Sequence, residues 1–184
     1  MIQCVQVEKS YKVGRSKTNV IRKLDMTIND GELVAILGKS GSGKSTLLNL
    51  IGTLDSADAG SIVINGTDLD GITDAQRAKL RKTEIGFVMQ DYALVNHQTA
   101  EFNIELPMIL NNIVRKQRKA RVEELAKKVG ILSLLGSRVI DLSGGEKQRT
   151  AIARALVNDP DIILADEPTG ALDVQTSSQI MDLF

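Results

Sequence analysis

Residues 38–45 read Gly-Lys-Ser-Gly-Ser-Gly-Lys-Ser. Gly38, Gly43, Lys44 and Ser45 meet the spacing G-x-x-x-x-G-K-[ST], the pattern of a phosphate-binding loop. Each residue type there has a physical reason. Glycine lets the backbone curl until successive N–H groups face one centre. Gly38, Lys39, Ser40, Gly41, Ser42 and Gly43 can therefore form an anion-binding nest. Lys44 is placed to reach the β- and γ-phosphates, and the Ser45 hydroxyl to ligate Mg2+. A helix from Lys44 to about Ile51, with Thr46 in its first turn, would point its positive end at the same phosphates. Just upstream, Leu33-Val34-Ala35-Ile36-Leu37 is a continuous apolar run, which predicts a strand buried on both faces. Strand, loop and helix thus follow one another as the motif requires. A merely flexible Gly/Ser loop would not need those flanks.

The chain has 184 residues, enough for one good core in one or two lobes. Its 23 basic and 23 acidic residues cancel, so no global field favours nucleic acid or an anionic membrane. No stretch approaches the about 18 consecutive apolar residues of a membrane span. The opening Met-Ile-Gln-Cys-Val-Gln-Val-Glu is strand-like and is not expected to be a signal segment. Cys4 is alone, which excludes an internal disulfide and suits a reducing cytosol. Aromatics make up only 3%, with no Trp, so a stacking platform for single-stranded nucleic acid is not expected.

Residues 2–8 alternate apolar and polar like a half-exposed strand. Val13 to Asn19 reads as a hairpin turn, Val20 to Ile28 as a strand, and Ser61–Ile64 as a short strand closed by Asn65-Gly66. Thr73 to Lys82 looks helical, with Thr73 and Gln76 at capping-box spacing. Ile85–Met89 is a further strand, ending at Gln90. From about Ala100 helical periods dominate, over Ala100–Leu110, Lys116–Val129 and Glu146–Val157, until Pro160. Asp161–Ala165 is a second strand, fully apolar after Asp161. The layout predicts a mixed α/β core, an inserted helical lobe, and a return to the core. The basic run Arg115–Arg121 reads as the solvated start of an amphipathic helix, because Val122, Leu125, Ala126 and Val129 follow at helical spacing.

Ile162-Ile163-Leu164-Ala165-Asp166-Glu167 is four apolar residues and then two carboxylates. A buried strand in that order delivers Asp166 to the Mg2+ and leaves Glu167 at the strand mouth to polarise a water. Leu142-Ser143-Gly144-Gly145-Glu146-Lys147-Gln148-Arg149 is the third element. Ser143 and Glu146 have capping-box spacing, so a plain helix start would show the same pattern. A helix N-terminus is also an anion site, and adjacent glycines let a phosphate approach closely. One chain cannot easily place two such sites on one triphosphate, but a second copy facing it could.

Together these segments resemble the nucleotide-binding subunit of an ATP-binding cassette (ABC) transporter, over essentially the whole chain. Gly38–Ser45 matches the Walker A loop, Gln90 the Q-loop, and Leu142–Glu146 with Gln148 the LSGGx-Q signature. Ile162–Glu167 matches Walker B with its catalytic glutamate, and Ala171-Leu172-Asp173 the D-loop. The resemblance implies a P-loop NTPase (RecA-like) core with an N-terminal antiparallel β subdomain and an inserted α-helical subdomain. Residues 1–90 and 159–184 would form the nucleotide-binding core and 91–158 the helical signature subdomain. It implies ATP and Mg2+ as cofactors, with Tyr11 stacking on adenine, although a strand-end core aromatic would also suit that position. Lys44, Gln90 and Glu167 would be catalytic, and Ser45, Gln90 and Asp166 would hold the metal. Ser143, Gly144 and Gly145 would close over the partner copy's ATP, and Asp173 would connect the two sites.

The implied partners are a second, head-to-tail copy and an integral membrane permease met near Gln90 to Leu94. Nucleic acid is not among them. The implied location is the cytoplasmic face of the cell membrane. Gly52–Asp55, Glu101–Pro107 and Ala165–Asp173 resemble the bacterial subfamily serving lipoprotein release, macrolide export and antimicrobial-peptide resistance. The family's switch histidine, expected beyond Walker B, has no counterpart before Phe184, and the only histidine, His97, precedes the signature. His97 is expected to face solvent or a partner, and the cassette to be incomplete at its C-terminus and slow in turnover. Two other readings stay open: a soluble cassette ATPase not coupled to transport, and a regulatory ATP-binding module.

Overall fold

The alternation at the N-terminus forms β1 (Ile2–Val13), which pairs antiparallel with β2 (Ser16–Ile28) from Ile2↔Ile28 to Val13↔Ser16. The computed structural model describes residues 1–14 and 16–182. Within them the chain divides into two compact units, Met1–Leu80 and Arg81–Phe184.

In the first unit, β1 also pairs with β3 (Ala59–Ile64), and β3 with β4 (Thr67–Asp68), so the sheet order is β2-β1-β3-β4. Ile2, Cys4, Val7, Ile21, Ile62 and Ile64 are buried. The step from Cys4 to Val7 is three residues, not two. Both pairings of β1 shift register there, and Gln6 lies in the left-handed region at φ 49°. This is a β-bulge: one extra residue changes which positions face inward. It turns Val7 and Lys9 to the buried side, which simple alternation from Ile2 does not foresee. The hairpin is also tighter than expected, since pairing runs on to Val13 and Ser16.

The helix α1 (Lys44–Ile51) buries Leu47, Leu50 and Ile51. The helix α2 (Asp74–Thr83) starts at a reciprocal cap: Thr73 N–H donates to Gln76 Oε1 at 2.8 Å and Gln76 N–H to Thr73 Oγ1 at 3.3 Å. The run Leu33–Leu37 differs from expectation. It joins no strand ladder among the described residues, and Leu33 and Leu37 are 73% and 90% exposed. A strand is defined by backbone partners, and apolarity alone does not supply them.

In the second unit, β5 (Ile85–Val88) and β6 (Ile162–Ala165) run parallel, from Ile85↔Ile162 to Val88↔Ala165. A parallel pair needs a long crossover. It contains α3 (Ala100–Leu110), α4 (Arg115–Lys128) and α5 (Gly144–Leu156), and α6 (Val174–Met181) follows β6. Val88, Ile104, Met108, Val122, Leu125 and Ile152 share one buried cluster. The helix α5 lies so close to β5 that a Cβ on Gly86 would come within 2.4 Å of the Ala155 carbonyl oxygen. The basic run opening α4 is no free patch. Arg118 pairs with Glu105 at 2.8 Å, Lys119 with Glu123 at 3.9 Å, and Arg121 with Glu124 at 2.8 Å and also with Asp159. No helix among the described residues is long and apolar enough to cross a membrane.

Candidate functional site

The phosphate-loop residues lie in the first unit. Gly41 and Gly43 have φ of 78° and 97°, a region that favours glycine. A Cβ on Gly43 would lie 2.9 Å from Val20 Cγ1, and one on Gly38 2.6 Å from Ser42 Oγ. At Gly43 the positive φ and the closeness of Val20 together favour glycine. Gly43 is the N-cap of α1, so Lys44, Ser45 and Thr46 form its first turn. The Lys44 ammonium donates to the carbonyls of Gly38 at 2.9 Å and Lys39 at 3.1 Å, across its own loop. Ser40, Gly41, Ser42 and Ser45 are exposed.

Tyr11, near the end of β1, is 37% exposed. Its hydroxyl donates to Asp55 Oδ2 at 2.8 Å and lies in hydrogen-bonding reach of the Thr46 side chain. Burial and the donation to Asp55 raise the phenol's pKa, while Thr46 acts the other way. The ring is therefore tied to the helix that begins at the phosphate loop. It is not a closed core aromatic.

The other site residues lie in the second unit. The ends of β5 and β6 are adjacent because the strands are parallel and in register, and Gln90 and Asp166 leave from the same end. Asp166 N–H donates to the Val88 carbonyl at 2.9 Å. Glu167 follows at φ 51°, where a non-glycine residue is held only by its surroundings. Gln90 Nε2 donates to Glu167 Oε2 at 3.0 Å. The two side chains predicted to act together from opposite ends of this unit's sequence are therefore in contact.

Ser143 caps α5 in a full capping box. Its N–H donates to Glu146 Oε2 at 2.8 Å, and Glu146 N–H donates to Ser143 Oγ at 3.4 Å. The Ser143 backbone, then its hydroxyl, hold the Glu146 carboxyl below its ordinary pKa. A Cβ on Gly144 would meet the Tyr92 hydroxyl at 3.4 Å, and one on Gly145 the Ala171 carbonyl at 3.5 Å. The signature glycines thus lie against the segments that follow Gln90 and precede Asp173. Asp173 caps α6: Oδ1 accepts from Thr176 N–H at 3.0 Å and Oδ2 from Thr176 Oγ1 at 2.7 Å. His97 is exposed, in a turn closed by Gln98 N–H on the Val95 carbonyl at 3.0 Å.

The donors assigned to a metal, the Ser45 hydroxyl, the Gln90 amide and the Asp166 carboxylate, are hard oxygen ligands. Such a sparse set suits Mg2+, which keeps waters and phosphate oxygens in its shell. Among the described residues no cluster of three His, Cys, Asp or Glu could hold a metal alone.

Arg154 was not foreseen. Its guanidinium leaves α5 beside the buried Ala151, Ala153 and Ala155 and donates to the Tyr92 carbonyl at 2.7 Å and to the Ala93 carbonyl. Tyr92 and Ala93 are both left-handed, at φ 66° and 46°. An arginine among Ala151, Ile152, Ala153 and Ala155 was the available signal.

A family model described as "ABC transporter" matches residues 21–170. The chain belongs to the ABC transporter family. The "Uncharacterized ABC transporter ATP-binding protein YknY" of Bacillus subtilis (strain 168) is 47% identical over all 184 residues, which cover 80% of that protein. The "Lipoprotein-releasing system ATP-binding protein LolD" of Saccharophagus degradans is 43% identical over the whole chain and 81% of its own length. Among solved structures, the dimeric post-hydrolysis state of the ATP-binding cassette MJ0796, bound to ADP and Pi, superposes with a TM-score of 0.94. It is 40% identical over all of this chain and 81% of that one. The fold is that of an ABC ATP-binding cassette.

Proposed function

We propose that this cassette hydrolyses ATP to drive a membrane permease, as a head-to-tail dimer closing on two Mg-ATP. The contact of Gln90 with Glu167 carries the reading, because it joins the loop assigned to the permease with the group assigned to the attacking water. Tyr11 stacks on adenine. Residues 38–46 cradle the phosphates, and Lys44 concentrates positive charge where the γ-phosphoryl develops negative charge. Mg2+, held by Ser45, Gln90 and Asp166, would neutralise charge on the phosphate oxygens. Glu167 orients a water in line with the γ-phosphorus and takes its proton as the bond to the bridging oxygen breaks. Ser143, Gly144 and Gly145 supply a helix N-terminus to the partner's γ-phosphate, and Asp173 lies between the two sites.

Residues 1–90 and 159–184 act as the nucleotide core and 91–158 as the signature subdomain, with Gln90 to Leu94 meeting the permease at the cytoplasmic face of the membrane. Relatives named for lipoprotein release and for export favour an exporter or extractor. The test is Glu167→Gln, tagged and recovered from native membranes with ATP. Hydrolysis should fall about 100-fold or more while ATP stays bound, and a polytopic membrane protein should be recovered with the cassette. Retained hydrolysis would remove Glu167 from its role. Recovery of ribosomes or DNA-repair factors in its place would move the reading to a soluble ATPase.

A further inference from the structure

Lys9 is a lysine on the buried side of a strand, only 8% exposed. Its ammonium donates to Asp55 Oδ1 at 2.6 Å and to the Ser56 carbonyl at 2.7 Å, with Asp58 Oδ1 at 3.8 Å. It also sits 5.2 Å from the centroid of the Tyr11 ring, within cation–π range. Asp55 spends its second oxygen on the Tyr11 hydroxyl. One carboxylate therefore bridges the lysine beside the ring and the phenol at its tip. Burial alone would raise the Asp55 pKa, but hydrogen bonds from Lys9, Tyr11 and the Ser56 N–H outweigh it and hold the carboxylate ionised.

Asp55 is anchored in turn to the end of α1. Leu54 N–H and Asp55 N–H both donate to the Asn49 carbonyl, at 2.9 and 3.2 Å. That helix starts at Lys44. The element that carries the phosphate loop at its first residue thus holds, just past its last, the residue that fixes the exposed aromatic. A buried ion pair adds little net stability, since desolvation offsets attraction, and its best-attested effect is to fix geometry.

We propose that Asp55 and Lys9 are positioning residues for the nucleotide base. They lock the Tyr11 ring at a fixed offset from the phosphate loop, so that an adenine and its triphosphate are bound in one register. The proposal rests on the reading of Tyr11 as the stacking residue and adds the device that aims it. An unaimed ring would still touch a purine, but would lose rotamer freedom on doing so, and base affinity would fall while phosphate affinity did not.

The experiment compares ATP with inorganic tripolyphosphate, which has no base, by equilibrium competition on the full chain. Tyr11→Phe removes one hydroxyl and leaves the Lys9–Asp55 pair in place. Asp55→Ala removes the bridge, and Tyr11→Ala removes the ring. Tyr11→Phe and Asp55→Ala should each weaken ATP about 3- to 10-fold with tripolyphosphate unchanged. KM for ATP should rise with Asp55→Ala while kcat holds. Tyr11→Ala should weaken ATP more. Should Tyr11→Ala weaken ATP while the other two bind like the parent, the positioning role is overturned and stacking stands. If Tyr11→Ala leaves the ratio of the two affinities unchanged, the stacking reading falls and the proposal with it. A lowered melting temperature with an unchanged ratio would make the network structural only, which also overturns the proposal. Should Asp55→Ala fail to fold, Tyr11→Phe decides alone.

Discussion

Asn103 is fully buried in α3, and its side-chain amide makes three hydrogen bonds to the segment before that helix. Oδ1 accepts from Val95 N–H at 2.7 Å. Nδ2 donates to the Val95 carbonyl at 3.2 Å and to the Thr99 carbonyl at 2.9 Å. The amide thus mimics a strand partner for Val95 and fastens the stretch between Gln90 and Ala100. Asn103→Ala deletes all three bonds. The Thr99 carbonyl keeps one partner, because Asn103 N–H also donates to it at 3.1 Å. The Val95 carbonyl likewise keeps Gln98 N–H at 3.0 Å, and the Val95 N–H loses its side-chain acceptor beside a small void. With about 1 kcal/mol per net hydrogen bond, and Val95 able to recover some water, the loss is about 2–3 kcal/mol. For a chain of this size that is about 4–12 °C in melting temperature. Asn103→Asp keeps the size and one acceptor but aims a carboxylate at two carbonyls, so it should cost at least as much as alanine. Thermal unfolding by circular dichroism gives the first number. Amide exchange at Val95 gives the second and should accelerate at least tenfold. A melting temperature within about 1 °C of the parent, with Val95 still protected, would refute the reasoning.

Gly86→Ala sets a Cβ against the Ala155 carbonyl, where neither backbone can yield cheaply; a loss of about 3 kcal/mol is expected in urea unfolding. Glu146 has a lowered folded pKa, so its contribution is present above its unfolded value and is lost as pH falls through the folded one. The melting-temperature gap between the parent and Glu146→Ala should therefore hold at neutral pH and shrink as acid protonates the folded carboxyl. Cys4 is buried, and burial pushes its thiol up to about 11. It should resist a maleimide at about pH 8 in the folded protein and react only as fast as the chain opens, which mass spectrometry can follow.

Elements set by local chemistry were legible in the sequence. The extent of α3 follows from its helical period, with Thr99 accepting from Phe102 N–H at 3.1 Å at its start, and the start of α5 from the Ser143–Glu146 box. The loop at Gly38–Lys44 was legible for the same reason: its geometry depends on which residues tolerate positive φ. Leu33–Leu37 was not. Its composition says strand, but a strand also needs a backbone neighbour, and no local pattern specifies one.

The site shows the same boundary more sharply. Glu167 was readable from the apolar strand and Asp166 before it, and Gln90 from the family resemblance. Their contact rests on the parallel register of β5 and β6, which pairs Val88 with Ala165 across the whole helical insertion. Arg154 and Lys9 escaped notice for a related reason. Both are long cations, and each is satisfied by groups remote in sequence. For Lys9 the inward turn depends on a single inserted residue, the bulge at Gln6. Had β1 kept strict alternation from Ile2, positions 6, 8 and 10 would share the buried face with Ile2 and Cys4, and Lys9 and Tyr11 would face away from it. The placement of the aromatic thus depends on a register shift five residues upstream. A change at Gln6 that removed the bulge would move Tyr11 without touching any residue of the site.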